Sequence, residues 1–443
     1  LNKLFGTGKS ERIDPAQLLL LLEGLNEEIK QEADKEKEVV PGYDRTKKGD
    51  GPVARHPIPE NLEVVTQEII PAEVKLKPEA YVQIGVVETQ ELDLIPAKFI
   101  KRIYRRLKFK LKDELDATPI IAPLPGRLIE GGLPGVGLIV QIILSKYVDH
   151  LPLYRQEQIY KRRFGVNLSR QTMADWIRVV AENWLILIYH SIKKGLLSGD
   201  YLQVDETPIE YLDKNHKGKT RKGWLWVYSH PGGDVLYDWK LSRGADSLRS
   251  FLTGFSGIVQ SDGYAVYDKI AQEQRLTQIG CWAHARRKFF EAYKLGQEGA
   301  IWYLHQIGQL YKNEKYIQGE ALDAATYRKE KSLPILREIR KRLEVENTTA
   351  SGLKTELAKA ISYTLSQWRK LIGYIDYSEV KIDNNYAEQS IRPTKLGAKN
   401  WLFIGHPEAG QRSAIIYTVV ESCKRHGVEV QEYLTDVLKK LPN

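Results

Sequence analysis

Between residues 201 and 282 the sequence alternates apolar runs with turn and helix signals in an order that few folds accommodate. YLQVDETPIEYL (201–212), RKGWLWVYS (221–229) and DVLYDWKL (234–241) carry the aromatic and β-branched residues expected of strands. Trp224, Trp226 and Tyr228 share one face of the second run, and Pro231-Gly232-Gly233 makes the turn into the third. A helix over 245–253, a strand GIVQSD (257–262), a helix from about Ala265 and a fifth strand LTQIGCW (276–282) follow.

Three meandering strands, then helix, strand, helix, strand, is the order of the ribonuclease H fold. In that fold the first strand, the end of the fourth strand and a later helix bring carboxylates together. Here those places hold Asp205, Asp262 and Glu388. An acid inside the apolar run LQV-D needs a reason to be there, because burying an unpaired carboxylate is costly. Asp262-Gly263 taken alone is ordinary turn chemistry.

Glu388 lies in KIDNNYAEQSIRPTKLGAKNWLF (381–403). Asp383 reads as an Asx-type cap and 384–391 as a short helix that Pro393, lacking an N–H, stops or kinks. Asn384, Glu388 and Arg392, spaced by four, share one helix face, and Lys395 continues its cationic side. The stretch between Asp262 and Glu388 is too long for a direct crossover, and residues 290–375 read as an inserted helical subdomain. Two closing helices are expected after residue 413.

Three carboxylates converging on one point repel one another unless cations sit between them. Hard oxygen ligands of this kind suit Mg²⁺ or Mn²⁺. Two such ions roughly 3.5–4 Å apart activate a water or 3′-hydroxyl and stabilise the leaving oxygen of an in-line displacement. Cys281 and His284, spaced C-x-x-H, could begin a zinc site, but no second pair with metal spacing exists, so a structural pair is favoured. His284, Arg286, Arg287 and Lys288 follow the fifth strand, where they either contact phosphates or form a solvated basic helix start.

The upstream chain is less specific. GTGKS (6–10) lacks the first glycine and the preceding strand of a nucleotide-binding loop. A helix follows Asp14-Pro15, and the glycines and prolines of 41–60 read as a linker. RLKFKLK (106–112) alternates basic and apolar residues, as either a solvated edge strand or a phosphate-contacting face. From 132 to 198 the pattern is helical. A helix over 156–164, the turn Gly165-Val166-Asn167-Leu168 and Ser169 as N-cap give a helix-turn-helix layout. Met173, Trp176, Ile177, Val180 and Trp184 form its buried stripe, leaving Arg170, Gln171, Asp175 and Arg178 outside. That layout serves either DNA reading or plain helix packing.

At 443 residues the chain should form two to four domains. Lys and Arg total 66 against 57 Asp and Glu, a net charge of +9 that favours a nucleic-acid partner. Two cysteines exclude a disulfide scaffold and suit a reducing cytoplasm. The leucines at 18–22 are far short of a membrane span, and no secretory leader is legible. Leu1 in the initial position leaves room for a preceding segment.

The sequence resembles the DDE transposases of the insertion sequence 66 family over nearly its full length. The resemblance rests on LFGTGKSERIDPAQL, RHPIPENL, IIAPLP, SKYVDHLPLYRQEQIYKRRFGVNLSRQTMADW, VDETPI, SDGYAVY, CWAHARRKFFEA, DNNYAEQSIRPTKLGAKNWLFIG and AGQRSAIIYTVVESCKRHG. It implies metal-dependent DNA cleavage and strand transfer in a mobile element, with Asp205, Asp262 and Glu388 as the catalytic trio and metal ligands. A Glu-x6-Lys feature of related DDE enzymes falls on Glu388 and Lys395. The Tyr and Arg that some relatives carry upstream of the Glu are not matched, since Lys381 and Asn384 stand there. Family members usually carry a cysteine zinc module near 75–120, where this chain has no cysteine, so no zinc is expected.

The expected architecture is therefore multidomain α/β. A helical segment and linker (1–50) precede a small β-rich module (51–125) and a helix-turn-helix-like region (126–198). A ribonuclease H-like catalytic core with its helical insertion (199–412) and C-terminal helices (413–443) complete it. Arg170, Gln171, Arg178, His284, Arg287, Arg392 and Lys395 are the candidate DNA contacts. The expected partners are element ends and target DNA, bound by a homo-oligomer near the nucleoid rather than at a membrane. A binding-only remnant and a nuclease without strand transfer are the competing functions.

Overall fold

Among the described residues, the stretch from 136 to 197, just ahead of the five-stranded sheet, is helical apart from short turns. The computed structural model describes residues 99–105, 108–109, 120–121, 126–132, 134–213, 219–349 and 355–442. The chain forms two units, Leu1–Ile103 and Tyr104–Asn443, and within the first the described residues 99–103 have no regular secondary structure. The expected phosphate-loop-like stretch, first helix and linker lie outside the described residues. So does most of the β-rich module, of which the antiparallel pair Lys108–Phe109 and Ile120–Ile121 is described.

Helix α1 (Val136–Tyr147) is followed by α2 (Leu153–Phe164) and α3 (Arg170–Val180). Gly165 ends α2 with φ of +66°, a left-handed conformation that glycine adopts without a Cβ penalty. Ser169 starts α3 by accepting a hydrogen bond from the Thr172 N–H at 3.1 Å. Met173, Trp176, Ile177 and Val180 are buried, whereas Trp184 is half-buried and donates its indole N–H to the Leu128 carbonyl. A π-helical turn, Ala181–Leu185, carries the chain without a break from α3 into α4 (Ile186–Leu197).

One mixed five-stranded sheet follows. β1 (Tyr201–Leu212), β2 (Thr220–Ser229) and β3 (Val235–Lys240) are the antiparallel meander. Helix α5 (Ala245–Leu252) leads to β4 (Ile258–Gln260), and α6 (Ala265–Gln274) to β5 (Thr277–Ile279). β4 pairs parallel to β1, and β5 parallel to β4, giving the spatial order β3-β2-β1-β4-β5. Trp226 and Tyr228 are fully buried and Trp224 partly so.

Helix α7 (Trp282–Lys294) leaves the sheet and is overlaid by α8 (Gly299–Glu320), α9 (Ala324–Tyr327), α10 (Leu333–Thr349), α11 (Glu356–Ser366) and α12 (Trp368–Ile372). Their shared core joins Trp282 and Phe289 of α7 to Tyr303, Ile307, Leu336, Ile339 and Ile361. Arg328, 2% exposed, pins the returning chain. Its guanidinium bonds both carboxylate oxygens of Glu314, at 2.8 and 2.6 Å. It also donates to the carbonyls of Tyr374, Tyr377 and Val380.

Helix α13 (Asn385–Trp401) then crosses the sheet. Of the two expectations for Pro393, a stop or a kink, the stop is corrected: Pro393 lies inside the helix, which runs eight residues further. A proline removes one helical hydrogen bond, and here Tyr237 and Lys395 bond α13 to the sheet, which holds it against that loss. Helices α14 (Pro407–Arg425) and α15 (Val430–Lys440) close the chain. Among the described residues no helix is long and apolar enough to cross a membrane.

Candidate active site where the central strands meet a late helix

The site is assembled by two fully buried glutamines. Gln203 on β1 donates to the Asp383 carbonyl at 2.7 Å and to the Gln260 side-chain oxygen at 3.0 Å, and accepts from the Ala387 N–H. Gln260 on β4 donates to the carbonyls of Gly280 and Lys381. The start of α13 is thereby tied to the two central strands, and the side-chain amides of both glutamines are satisfied, as dry polar groups require.

On β1, Asp205 follows Gln203 on the same face. The register pairs Tyr201 with Ile258 and Gln203 with Gln260. Carried two residues further, it sets Asp205 beside Asp262, which lies just past β4. The electrostatics agree. Burial pushes the Asp205 carboxyl well above its ordinary range, and the negative charges of Glu206, Glu388 and Asp262 push it further. The Glu206 N–H donates back to Asp205 Oδ1 at 2.9 Å. Asp262 takes the Tyr264 N–H at 2.9 Å, the turn role its Asp-Gly context suggests.

Glu388 stands one turn into α13, its side chain 10% exposed. Its pKa is raised to about 6, chiefly by burial, with Arg287 pulling the other way. His284 Nδ1 lies 3.5 Å from Glu388 Oε1, and Arg287 Nη2 3.9 Å from Oε2. Burial lowers the His284 pKa, which weakens any ion pair with Glu388. His284 Nδ1 and Glu388 Oε1 are both buried without a hydrogen-bond partner, as are both amide atoms of Asn384. Cys281, just before α7, completes a group with His284 and Glu388 whose ligand atoms all lie within 4.8 Å of one another.

The other candidate residues are placed more variously. Arg392 is exposed on α13, and its charge reaches Glu388. Lys395 is turned inward, its amine donating to the Pro208 carbonyl at 2.6 Å, and burial lowers its pKa. Arg170 and Gln171 are exposed at the start of α3, with Gln171 reaching Asp175 at 3.5 Å. Arg178 pairs with Glu182 at 3.4 Å, and Glu182 also accepts from Arg412.

Sequence reasoning overlooked a second buried acid, Glu206, on the opposite sheet face. Glu206 is bound by Arg243 and by the Tyr267 hydroxyl of α6. Arg243 lies in turn over the Tyr264 ring, 3.8 Å from its centre. The Asp205-Glu206 doublet was the available signal, since adjacent strand residues point to opposite faces. Asp383, expected as an Asx cap, does accept from the Asn385 N–H at 3.2 Å and also takes the Tyr311 hydroxyl at 2.8 Å.

A family model described as transposase IS66 family matches residues 131–412. The uncharacterized protein y4qI of Sinorhizobium fredii (strain NBRC 101917 / NGR234) is 34% identical over 399 residues, covering 86% of this chain and 72% of the relative. Protein y4jD of the same strain, also uncharacterized, is 31% identical over 377 residues, covering 81% of this chain and 72% of the relative. Among solved structures, the Mos1 transposase paired-end complex with left transposon end aligns with 33% of this chain and 60% of that chain. Its identity is 12% and its TM-score 0.14, an overlap too slight to carry an argument. The matched stretch contains the whole sheet, the helices laid over it, and Asp205, Asp262 and Glu388, and the chain belongs to the IS66 family of transposases.

Proposed function

We propose that the protein cleaves DNA at the ends of an insertion sequence and joins the freed 3′ ends to target DNA, using Asp205, Asp262 and Glu388. The observation that carries this reading is the mutual repulsion of acids at the sheet: Asp205 is pushed well up by burial and by the charges of Glu388 and Asp262. Carboxylates massed in a dry site call for a cation. The strand order β3-β2-β1-β4-β5, with β1 to β3 antiparallel and β4 and β5 parallel to β1, supports reading the domain as ribonuclease H-like.

The residues fit a hard divalent cation. The donors are carboxylate oxygens, and Glu388 Oε1 is buried with no protein hydrogen bond to lose. Asp205, Asp262 and Glu388 would hold it. Bound Mg²⁺ or Mn²⁺ supplies charge neutralisation for an in-line phosphoryl transfer and acidifies the attacking hydroxyl. The protein itself orients the carboxylates: Gln203 and Gln260 fix the start of α13, and the Glu206 and Tyr264 N–H groups fix Asp205 and Asp262. Arg287 and Arg392 place positive charge around Glu388, where DNA phosphates would pass. Arg170, Gln171 and Arg178, on the second helix of the α2–α3 hairpin, are proposed to reach the element's end. The inward bond of Lys395 gives it a positioning role on β1 in the absence of DNA.

The test is strand cleavage and joining of DNA carrying the element's terminal repeats, with Mg²⁺, by the full chain and by Glu388→Gln. The variant keeps the side-chain shape and should lose both products. Full activity in Glu388→Gln would overturn the assignment. Nicked but never joined DNA from the unaltered protein would make it a nuclease, and binding without cleavage a remnant.

A further inference from the structure

We propose that Cys281, His284 and Glu388 form a second, soft-metal site that takes Zn²⁺, and that zinc held there withdraws Glu388 from the catalytic carboxylates and inhibits the enzyme. The C-x-x-H spacing supplies two ligands at the start of α7, and the fold brings the third from α13. Their ligand atoms lie within 4.8 Å of one another. The 3.5 Å between His284 Nδ1 and Glu388 Oε1 is already what two ligands on one tetrahedral ion would show, given metal–ligand bonds of about 2.0–2.2 Å.

Independent observations point to a missing ligand. His284 Nδ1 and Glu388 Oε1 face each other, both buried and both without a hydrogen-bond partner. Burial, with the charges of Asp383 and Glu388, holds the Cys281 thiol well above its ordinary range, so a metal ion there must displace the thiol proton. Zinc binding would release the thiol proton to water. One thiolate and one carboxylate then neutralise the divalent charge, with a neutral imidazole as third ligand. Sulfur and nitrogen donors suit zinc and offer little to magnesium, so the two metals would contend for Glu388 alone. Three protein ligands leave a fourth position open for water.

The inhibitory half of this proposal rests on Glu388 serving catalysis, whereas the binding half does not, and the experiment separates them. The full chain is titrated with Co²⁺ in place of zinc. One equivalent should produce a thiolate-to-cobalt charge-transfer band together with the intense visible bands of four-coordinate cobalt, and Zn²⁺ should abolish them. The bands should persist in Cys423→Ser and vanish in Cys281→Ala, with folding checked by circular dichroism. Where Cys281→Ala does not fold, His284→Gln should weaken cobalt binding by more than about 100-fold, beyond the loss typical of an outer-shell change. A folded chain that shows no thiolate band, or bands that survive in Cys281→Ala, would overturn the site. In the second arm, low zinc should suppress Mg²⁺-supported DNA cleavage by the unaltered chain and leave that of Cys281→Ala intact. Cobalt bands without zinc inhibition would overturn the competition while leaving the metal site standing. Absence of cleavage under every condition would instead strike the catalytic reading, with the cobalt result unaffected.

Discussion

Two late helices close the sheet, in opposite ways. Helix α14 lies along the edge strand β3 and answers the backbone groups that an edge leaves open. Ser422, Thr418 and Gln411 accept from the N–H groups of Val235, Tyr237 and Trp239 at 3.2, 3.0 and 3.1 Å. Alternate residues of a strand point their N–H groups the same way, so three side chains on one face of α14 suffice. Helix α13 covers the central strands and leaves Glu388 Oε1, His284 Nδ1 and the Asn384 amide buried without partners. Each unmade bond of that kind costs about 1–3 kcal/mol. Helix α14 also buries the Tyr417 hydroxyl unpaired, but the α13 joint gathers a carboxylate, an imidazole and an amide. The difference distinguishes a seam built to hold from one kept open for ligands.

That contrast can be broken at several points. Asp205→Asn should cut DNA cleavage by ~10²–10³-fold or more, the scale set by losing one group that stabilises developing charge. Its melting temperature should hold or rise, because a buried charge among other acids disappears. A fall in melting temperature matching the loss of activity would make Asp205 structural and erase the distinction.

On the closed side, Arg328→Met should destabilise the chain by about 3–5 kcal/mol, since it strands Glu314 and three carbonyls in a dry site. Denaturant unfolding measures it, and a loss under about 1 kcal/mol would show water reaching the clamp. Thr418→Val keeps the volume but leaves the Tyr237 N–H unanswered, for about 1–3 kcal/mol. Cleavage per folded molecule should be unchanged, and a catalytic defect in this variant would show that α14 also shapes the site.

The mildest test lies at Lys146 of α1, near Trp401 at the end of α13. Burial lowers its pKa from 10.5 to about 8. A lysine with a depressed folded pKa destabilises the fold while charged, and that cost fades as pH rises from about 8 to the unfolded value. Lys146→Met should therefore gain roughly 1–2 kcal/mol at pH 7, reduced from the full shift because Tyr147 and Trp401 offer cation–π contact. The gain should be largely gone near pH 10. A gain that does not change between pH 7 and pH 10 would place the ammonium in water.

The sequence on its own determined the strand run, its turn at Pro231-Gly232-Gly233, the Ser169 cap and the three acids worth testing. Those features are local: period-two burial, turn chemistry and an acid in an apolar run need no knowledge of distant residues. A stop at Pro393, one of the sequence's two readings there, fails because what holds α13 together past the proline includes bonds from β1 and β3. The sequence showed Cys281 and His284 without their third neighbour, which is more than a hundred residues away along the chain. Only the tertiary structure decided that Glu388 comes to that pair, that Lys395 turns inward to Pro208, and that Glu206 gathers Arg243 and Tyr267 on the far face. The physical reason is common to all three: helix and strand periodicity fixes which way a side chain leaves its own element, whereas its partner is chosen by the packing of elements far apart in the chain.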